Sequence, residues 1–358
     1  MLRLEASKVS SQFCDSFMQT LLTKRLIFSS LFLSLFFFFT TTALGQLGTG
    51  SSVSSEVKSK IITGTAVRVR TDPSTSAKEV ERLNVGTVVN SSARSTKKEK
   101  VGQKEDYWYK VATPQGQKGW VFGSFLLDYD ASKRETIYSK IAADRLKTEG
   151  ANFDDYSDLY NFLNRIAPQV TKQDVSAELE LYKLQSLAKS LETIPFDKQS
   201  QTPYSDWTKT HDSKIVYSEP AGQWFVRAEL FWNLNERYRS LPVAERIAWA
   251  AAETPLPGEC EGYIPCYIYL SRSTLGEYLK RYPQGNHAER ALRELSELFA
   301  PIVADLHDQK IYNPTQDEPE RKEMRKNIAE LRTILKKCVG PSQQIVLNQL
   351  DQISKLYP

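Results

Sequence analysis

The sequence has few of the side chains that build most catalytic sites. It contains three histidines and four cysteines in 358 residues. A cell-wall peptidase needs a cysteine paired with a histidine, and a zinc amidase needs two or three histidines with a carboxylate. Phosphate-binding glycine loops, dinucleotide-binding fingerprints and paired metal motifs are also missing from the sequence. We therefore predict no catalytic residues, no metal and no cofactor.

The histidines His211, His287 and His307 are widely separated along the sequence. Cys260 and Cys266 flank the segment EGYIP, and outside a reducing cytosol so short a spacing predicts a disulfide that closes a small loop. The alternatives are two free thiols, a metal site, or a nucleophilic Cys260 served by His287, because partners in such a pair meet in space rather than in sequence.

Neither sign of charge dominates the sequence. Its net charge is +4, which becomes +2 when residues 1–45 are left out. An excess this small predicts no nucleic-acid partner. Residues 60–128 nevertheless hold twelve basic and seven acidic residues. This local excess suits an anionic polymer of the cell envelope, although it is also common on a solvated surface.

Long hydrophobic runs are missing except for LIFSSLFLSLFFFF at residues 26–39, which follows two basic residues. Ala43 and Gly45 then match the small-residue rule for signal-peptide cleavage. We predict a signal peptide over residues 1–45 and a protein exported to the periplasm, envelope or exterior of a bacterium. The alternative is an uncleaved membrane anchor, for which the run is shorter than the roughly 20 residues that span a bilayer. Membrane contact is expected only in that case.

The next residues change from a linker composition to a strand composition. Residues 46–59 are rich in serine and glycine and predict a flexible tether. Residues 60–128 consist of short β-type runs separated by turn-forming or polar clusters, which predict a small antiparallel barrel or sandwich. Within it, residues 93–106 are polar and rich in lysine. They predict a solvated hairpin tip, with a polyanion-binding loop as the alternative.

Residues 131–358 show helical periodicity, which predicts an all-helical domain. The predicted fold class is therefore a multidomain protein in which a small β-barrel is followed by helices. One helix is expected to begin behind Asp154, a suitable N-cap, and another has an apolar face that starts at Trp224. Cys338 lies on the apolar stripe of a later helix, where a buried, unreactive thiol is expected. Residues 195–223 form a polar connection that we interpret as a lid or a partner-facing loop.

Two helical hairpins in this region are alike. In residues 235–251 and 277–295, an aromatic residue and an arginine end a first helix, a proline interrupts it, and Ala-Glu-Arg opens a second helix. Ala244 and Ala288 are forty-four residues apart. This internal repeat predicts an array of helical hairpins.

Two stretches of the barrel region carry a family resemblance. The first stretch, at residues 66–89, reads AVRVRTDPSTSAKEVERLNVGTVV. It has an apolar-x-Val-Arg strand, a Pro-Ser loop and a glycine before an apolar strand. The second stretch, at residues 107–126, reads YWYKVATPQGQKGWVFGSFL. Together they resemble a bacterial SH3 (Src homology 3) domain. The family usually has glycine before that proline, where this chain has Asp72, which also tolerates turn geometry. The resemblance implies a domain that targets cell-wall peptidoglycan or another envelope partner, often beside a hydrolase.

The resemblance also implies a ligand-binding surface. The peptide groove of the wider SH3 fold corresponds here to Trp108, Phe122 and Phe125. Two phenylalanines stand where that groove has a proline and a tyrosine, so an aromatic platform is expected but recognition of polyproline is not.

The residues between these rings are interpreted as structural. Gly119, Trp120 and Val121 are expected to close the barrel, with the tryptophan filling the core while Trp108 faces outward.

A second, shorter resemblance concerns the helices. YLKRYPQGNHAERAL, residues 278–292, resembles the helix-turn-helix of tetratricopeptide-like repeats in envelope assembly proteins. These features together predict a non-catalytic envelope adaptor, in which the barrel docks peptidoglycan or a peptide and the helical domain holds a protein partner. The alternative is a cell-wall hydrolase whose catalytic site lies in the helical domain.

Overall fold

The computed structural model describes residues 52–357, so the predicted signal peptide and the first part of the predicted tether lie outside the described residues. Strands come first and helices follow from Arg134, which confirms the predicted order of a β-rich part and then helices. The strands of the first part are Ser52–Ile62 (β1), Val67–Arg70 (β2), Glu79–Leu83 (β3), Val88–Ser95 (β4), Glu99–Val101 (β5), Lys104–Asp106 (β6), Trp108–Ala112 (β7), Lys118–Phe122 (β8) and Leu126–Asp128 (β9).

Most of these strands form one antiparallel sheet, in the order β3-β2-β8-β7-β4-β1-β9. Each strand of this sheet contributes to a single apolar core, so the sheet curls around that core as a small barrel. Gly119 lets β8 approach β2, because a Cβ atom at this position would lie 2.6 Å from the carbonyl oxygen of Arg70. The core residues are Ile62, Val67, Val69, Leu83, Val89, Val111, Val121 and Leu126.

The prediction of a flexible tether at residues 46–59 is wrong for the residues that the structure describes. Residues 52–59 belong to β1, which pairs with β4 on one edge and with β9 on the other. Within residues 52–59 the pairing is with β4, and the pairing with β9 involves Lys60, Ile61 and Ile62. Backbone hydrogen bonds hold such a strand without a regular apolar pattern. Because its serine-rich composition is typical of a linker, the sequence alone did not predict a strand here.

The second part is mainly helical. A π-helical segment, Arg272–Gly276, joins two short helices into one continuous helix, and a two-stranded sheet of Ile215–Ser218 (β10) and Gln223–Val226 (β11) is inserted among the helices. The helices are Arg134–Leu146 (α1), Phe153–Ile166 (α2), Gln173–Glu192 (α3), Tyr204–Thr210 (α4), Ala228–Arg237 (α5), Ala244–Glu253 (α6), Ile264–Ser271 (α7), Glu277–Arg281 (α8), Ala288–Asp305 (α9), Glu318–Leu335 (α10) and Gln343–Ser354 (α11).

Two helix starts differ from the sequence-based expectation. The N-cap of α2 is Asn152 rather than Asp154, because Asn152 and Asp155 form a reciprocal capping box that satisfies two backbone N–H groups. Trp224 lies in β11, and the helix behind it begins only at Ala228. The aromatic and β-branched residues around Trp224 pair across a hairpin, which overrides the helical spacing.

The polar connection at residues 195–223 is folded rather than an irregular loop, and its role as a lid or a partner-facing segment stays a prediction. It contains α4 and β10. Trp207 of α4 packs edge-on against Phe153 and donates its Nε1–H to Ser190 Oγ over 2.9 Å. These contacts fix the connection against α2 and α3.

The two similar hairpins, α5–α6 and α8–α9, are joined by a carboxylate. Glu245, at the start of α6, accepts hydrogen bonds from Tyr278 Oη (2.9 Å) and Asn286 Nδ2 (3.0 Å) of the following hairpin. Gly285 in that hairpin's turn permits this approach, since a Cβ atom there would lie 2.7 Å from the Glu245 carboxylate.

The same junction occurs again one hairpin later. Glu289, which stands at the start of α9 as Glu245 stands at the start of α6, accepts from Ser342 Oγ (2.6 Å) in the turn before α11. A Cβ atom at Gly340 in that turn would lie 2.1 Å from the Glu289 carboxylate. A glutamate that meets a glycine-containing turn therefore links successive hairpins. The likeness of these hairpins to tetratricopeptide-like repeats stays a prediction.

The barrel packs directly against the helices. Val85, in the turn between β3 and β4, donates its backbone N–H to Asp158 Oδ2 (3.0 Å), and its carbonyl oxygen accepts from Arg165 Nη2 (3.0 Å). Gly86 follows with a φ of +83° and lies against the ring of Phe162. All three partners are on α2, and the described residues form one compact unit.

Replacing Gly86 with alanine should weaken this junction. A left-handed φ costs an alanine about 1–2 kcal/mol, and the new Cβ would lie 2.2 Å from the Phe162 ring, which adds about 1–3 kcal/mol of overpacking. Gly116→Ala is the matched control, because Gly116 has the same φ of +83° and no atom within 4 Å of an added Cβ. Chemical denaturation should show the larger loss of unfolding free energy for Gly86→Ala. Equal losses in the two variants would contradict the steric contact.

Candidate functional site

The structure brings the three predicted ligand-binding rings together but buries two of them. Trp108 begins β7 and lies directly opposite Phe122 at the end of β8, with 5.4 Å between ring centroids. Phe125, in the turn behind β8, lies 6.4 Å from Phe122. Trp108 is 2% exposed and Phe122 is 3% exposed, so the expectation of an exposed three-ring platform is wrong. Phe125 is half-buried and keeps one part of its ring in solvent.

The expectation that Trp120 fills the barrel core is also wrong. Lys110 lies opposite Trp120 in the β7–β8 pair, as Trp108 lies opposite Phe122. Because side chains alternate along a strand, these four residues share the outer face, whereas Val121 points into the core as expected. Trp108, Trp120 and Phe122 form an apolar cluster of their own, called the ring cluster below.

A short hairpin of β5 and β6, called the arm below, covers the ring cluster. Val101 of the arm packs against the rings. Glu99 Oε2 accepts the Nε1–H of Trp108 over 2.8 Å, and Ser95 Oγ accepts the backbone N–H of Trp108 over 3.1 Å. These acceptors matter because a buried N–H without a partner is costly. The lysine-rich stretch at residues 93–106, predicted as a solvated hairpin tip, thus has one face that packs on the barrel.

Three cations in and beside the arm lie over aromatic rings. The Arg94 guanidinium lies 4.2 Å from the ring centroid of Tyr107, and Lys98 Nζ lies 5.6 Å from the same centroid. Lys104 Nζ lies 5.3 Å from the centroid of Phe125. Such contacts hold a cation in place without neutralising its charge. The accessible part of the predicted aromatic surface is therefore covered by positive charge.

Two of the three carboxylates in residues 93–118 are hydrogen-bonded within the barrel, and the third, Glu105, is exposed on the arm opposite Lys100. Glu99 binds Trp108, and Asp106 accepts from the backbone N–H of Tyr107 (2.8 Å) and from Ser124 Oγ (3.4 Å). Within the part of the chain that the structure describes, no carboxylate lies within ion-pair distance of seven exposed cations. These are Arg94, Lys97, Lys98, Lys100, Lys104, Lys110 and Lys118.

A recess of 570 Å³ lies on the outer face of β4, β7 and β8. The register of β4 against β7 shifts between Ser91 and Ala93, so Ser92 has no partner in the regular pairing. Such a bulge bends a strand and redirects its side chains. Asn90, Ser92, Lys110 and Lys118 line the recess, together with apolar residues that include Val57 of β1. The sequence-based analysis missed this site because its residues come from four strands and the pairing register alone brings them together.

Each histidine has a separate structural environment. His211 is buried with its Nδ1 2.9 Å from the carbonyl oxygen of Trp207, and burial lowers the pKa of this imidazole, which is therefore neutral at pH 7. His287 stacks on Trp249 with 4.6 Å between ring centroids, and His307 is exposed. Among residues 52–357, no group of three or more histidine, cysteine, aspartate or glutamate side chains is arranged to hold a metal ion.

The cysteines have the states that the sequence suggests. Cys260 and Cys266 are joined in a disulfide, so Cys260 carries no free thiol for the alternative in which His287 activates it. Cys338 is buried, and burial raises the pKa of its thiol to about 11. A protonated, buried thiol is unreactive at neutral pH.

A second candidate site is a cleft of 660 Å³ in the helical part, lined by residues of α1, α3, β11, α5 and α6. Its wall along α3 runs from Tyr182 to Glu192, about 15 Å at 1.5 Å per residue. Lys147 and Lys189 lie at the cleft with Glu192 and Glu253. The remaining lining is mostly apolar and includes Leu146, Ala188, Trp224, Phe225, Phe231 and Ala250.

In the part of the chain that the structure describes, none of the helices has the length and apolar character needed to cross a bilayer. The alternative of a membrane anchor at residues 26–45 lies outside the described residues.

Comparison with known proteins identifies a family for the barrel. Residues 65–126 match the family model of the bacterial SH3 domain. This match lies within the range predicted for the barrel, residues 60–128, and extends from the residues before β2 to the start of β9. No curated protein and no solved structure matches the chain. The resemblance inferred from the sequence is thereby confirmed for the barrel.

Trp108→Ala and Trp120→Ala should destabilise the protein to a similar extent, because both indoles belong to the buried ring cluster. Truncating a buried tryptophan costs about 3–5 kcal/mol. Phe125→Ala is the control from the same surface, and its smaller loss reflects a ring that is only half-buried. Urea denaturation of the three variants measures the unfolding free energies. A Trp108→Ala variant as stable as the parent protein would contradict the packing of the arm over the rings.

Proposed function

Because residues 65–126 form a bacterial SH3 domain, we propose that the protein is a non-catalytic binding protein of the bacterial cell envelope. Its barrel docks peptidoglycan or an envelope peptide, and its helical part holds a protein partner. The observation that carries this proposal is the family match, since bacterial SH3 domains are binding modules for cell-wall components or peptides. The disulfide between Cys260 and Cys266 is in keeping with a location outside the reducing cytosol.

The outer face of the barrel is the surface that we assign to the envelope ligand. The barrel core is closed and filled by side chains, so a ligand has to bind outside it. The ring cluster is covered by the arm and offers no open groove. The accessible features are the half-buried Phe125, the cations around it and the recess beside Lys110 and Lys118.

The cleft beside α3 is the surface that we assign to the protein partner. Ligand sites in proteins are concave, mostly apolar and fitted with a few polar groups, and this cleft has that character. Its length of about 15 Å corresponds to four or five residues of an extended chain at roughly 3.3 Å each. Residues of five elements line it, so a ligand there contacts the helical part as an assembled unit.

The two surfaces belong to one compact unit, which gives the protein the properties of an adaptor. Asp158 and Arg165 of α2 hold the barrel turn at Val85 through hydrogen bonds at both of its backbone polar groups. A partner in the cleft is then presented at a fixed position relative to the wall-binding barrel. A flexible linker would give no such fixed geometry.

The protein without residues 1–45 should sediment with insoluble peptidoglycan sacculi at low salt and should release no dye from dye-labelled sacculi. Sedimentation tests the docking function, and dye release tests for hydrolysis. Bovine serum albumin mixed with the same sacculi is the control for trapping. Protein that stays in the supernatant would contradict wall docking, and release of dye that is abolished by Cys260→Ser would contradict the non-catalytic assignment.

Ala188→Phe should prevent capture of the partner from a bacterial envelope extract, because the added ring fills the cleft next to Tyr182. Ala329→Phe is the matched control, since Ala329 is an exposed alanine on α10, outside the cleft. Both variants should keep the thermal unfolding midpoint of the parent protein. The same bands captured by the parent and by Ala188→Phe would contradict a role for the cleft in partner binding.

A further inference from the structure

Seven of the twelve basic residues of the barrel region, residues 60–128, lie in one short stretch of the chain. Residues 93–118 contain seven cationic and three acidic residues. Two of the three carboxylates, those of Glu99 and Asp106, have hydrogen-bond partners within the barrel, whereas no cation of the stretch is in an ion pair among the described residues. The third carboxylate, that of Glu105, is exposed opposite Lys100, which leaves a local excess of positive charge that attracts ligands of opposite charge.

Lys110 and Lys118 are close neighbours on the recess. Lys110 lies opposite Trp120, and Lys118 lies opposite Ala112, two residues further along each strand. The two lysines are therefore diagonal neighbours on one face, a position in which side chains on adjacent strands are about 7–8 Å apart. The two ammonium groups repel each other at this spacing, and an anion bound between them offsets that repulsion.

The recess adds uncharged hydrogen-bond donors to these two ammonium groups. Asn90 and Ser92 are exposed and line the same recess, where the bulge of β4 turns Ser92 out of the pairing. An amide, a hydroxyl and two ammonium groups around one concavity match the several acceptor oxygens of a phosphate or carboxylate.

The cationic surface continues from the recess onto the arm. Arg94 lies beyond the bulge, opposite Tyr109, and is exposed over the ring of Tyr107. The next cations along the chain are Lys97, Lys98 and Lys100. Lys104 follows and lies over the ring of Phe125. A single small anion would occupy the recess alone, whereas a linear polymer with repeated negative charges can follow the whole path.

Single-stranded nucleic acid fits this surface less well than a polymer without bases. Proteins that bind single strands stack the bases on accessible aromatic rings. Here Trp108, Trp120 and Phe122 are 2%, 7% and 3% exposed, and cations cover the rings of Tyr107 and Phe125.

We infer that the outer face of β4, β7 and β8, continued by the arm, binds a linear polyanion of the envelope, with its phosphate or carboxylate oxygens held by Lys110 and Lys118 in the recess. This inference rests on the proposed function, in which the barrel is the envelope-binding module, and it specifies the chemistry of the ligand. Lysines act as point charges, so phosphate and carboxylate polymers share the recognition chemistry.

The test measures binding of the protein without residues 1–45 to fluorescently labelled inorganic polyphosphate and to labelled polygalacturonate, by fluorescence anisotropy. The logarithm of the affinity should fall linearly with the logarithm of the salt concentration between about 50 and 200 mM. Lys110→Gln/Lys118→Gln should weaken binding by roughly tenfold and lower the salt slope by about two. If the double variant binds either polymer more weakly than the parent protein does, the inference is supported. The polymer that shows this loss identifies the bound group as phosphate or carboxylate.

Lys336→Gln/Lys337→Gln is the matched control, because it removes the same charge from exposed lysines behind α10. Equal weakening by the two double variants would show that only net charge matters and would overturn the inference. So would failure of both polymers to bind at low salt, or much tighter binding of a single-stranded oligonucleotide of similar charge. Unchanged thermal midpoints show that the variants are folded.

Sacculi stripped of their attached anionic polymers separate this inference from the proposed function. The parent protein and Lys110→Gln/Lys118→Gln are each mixed with stripped and with intact sacculi. If all four samples sediment equally, the inference is overturned and wall docking stays in place. Lysine-dependent binding to the soluble polymers, without sedimentation on either kind of sacculi, would support the inference and contradict wall docking.

Discussion

The pairing of β7 with β8 determines which side of the barrel each residue of its aromatic stretch faces. Trp108 lies opposite Phe122, and Lys110 lies opposite Trp120, so three large rings and a lysine share the outer face. A shift by one residue would exchange the two faces and place the indoles in a core already filled by small aliphatic side chains. The outer rings, the arm that covers them and the recess beside Lys110 all follow from this register.

Burial of the outer rings in turn explains the form of the arm. Three aromatic side chains on the outside of a small barrel would expose a large apolar patch, which soluble proteins avoid unless it binds a partner. The arm covers the patch with Val101 and supplies Glu99 as acceptor for the indole N–H of Trp108. Val101 and Lys104 share the face of the arm that meets the rings, whereas Lys100 and Glu105 lie opposite each other on its other face. The same hairpin therefore stabilises the barrel and adds exposed lysines to its surface.

The helical part is organised by contacts between a carboxylate and a turn. Glu245 and Glu289 each begin the second helix of a hairpin and each meet a glycine-containing turn of the next hairpin. At the other end of the array, Gly86 of the barrel meets Phe162 of α2. Close approach through glycine is thus used both between hairpins and between the barrel and the helices. These junctions keep the cleft and the cationic surface in one compact unit.

The sequence by itself determined the order of a β-barrel and a helical part, the SH3 family of the barrel, the cysteine pair and the repeated Ala-Glu-Arg hairpins. These features depend on residue types at short spacings, which report local conformation and can be read along the chain. Only the tertiary structure decided that β1 replaces part of the expected tether, that Trp108 and Phe122 are buried, and that Trp120 lies outside the core. It also decided which residues surround the recess and the cleft. Strand register and the packing of distant segments set these properties, and both arise from contacts between residues far apart in the sequence.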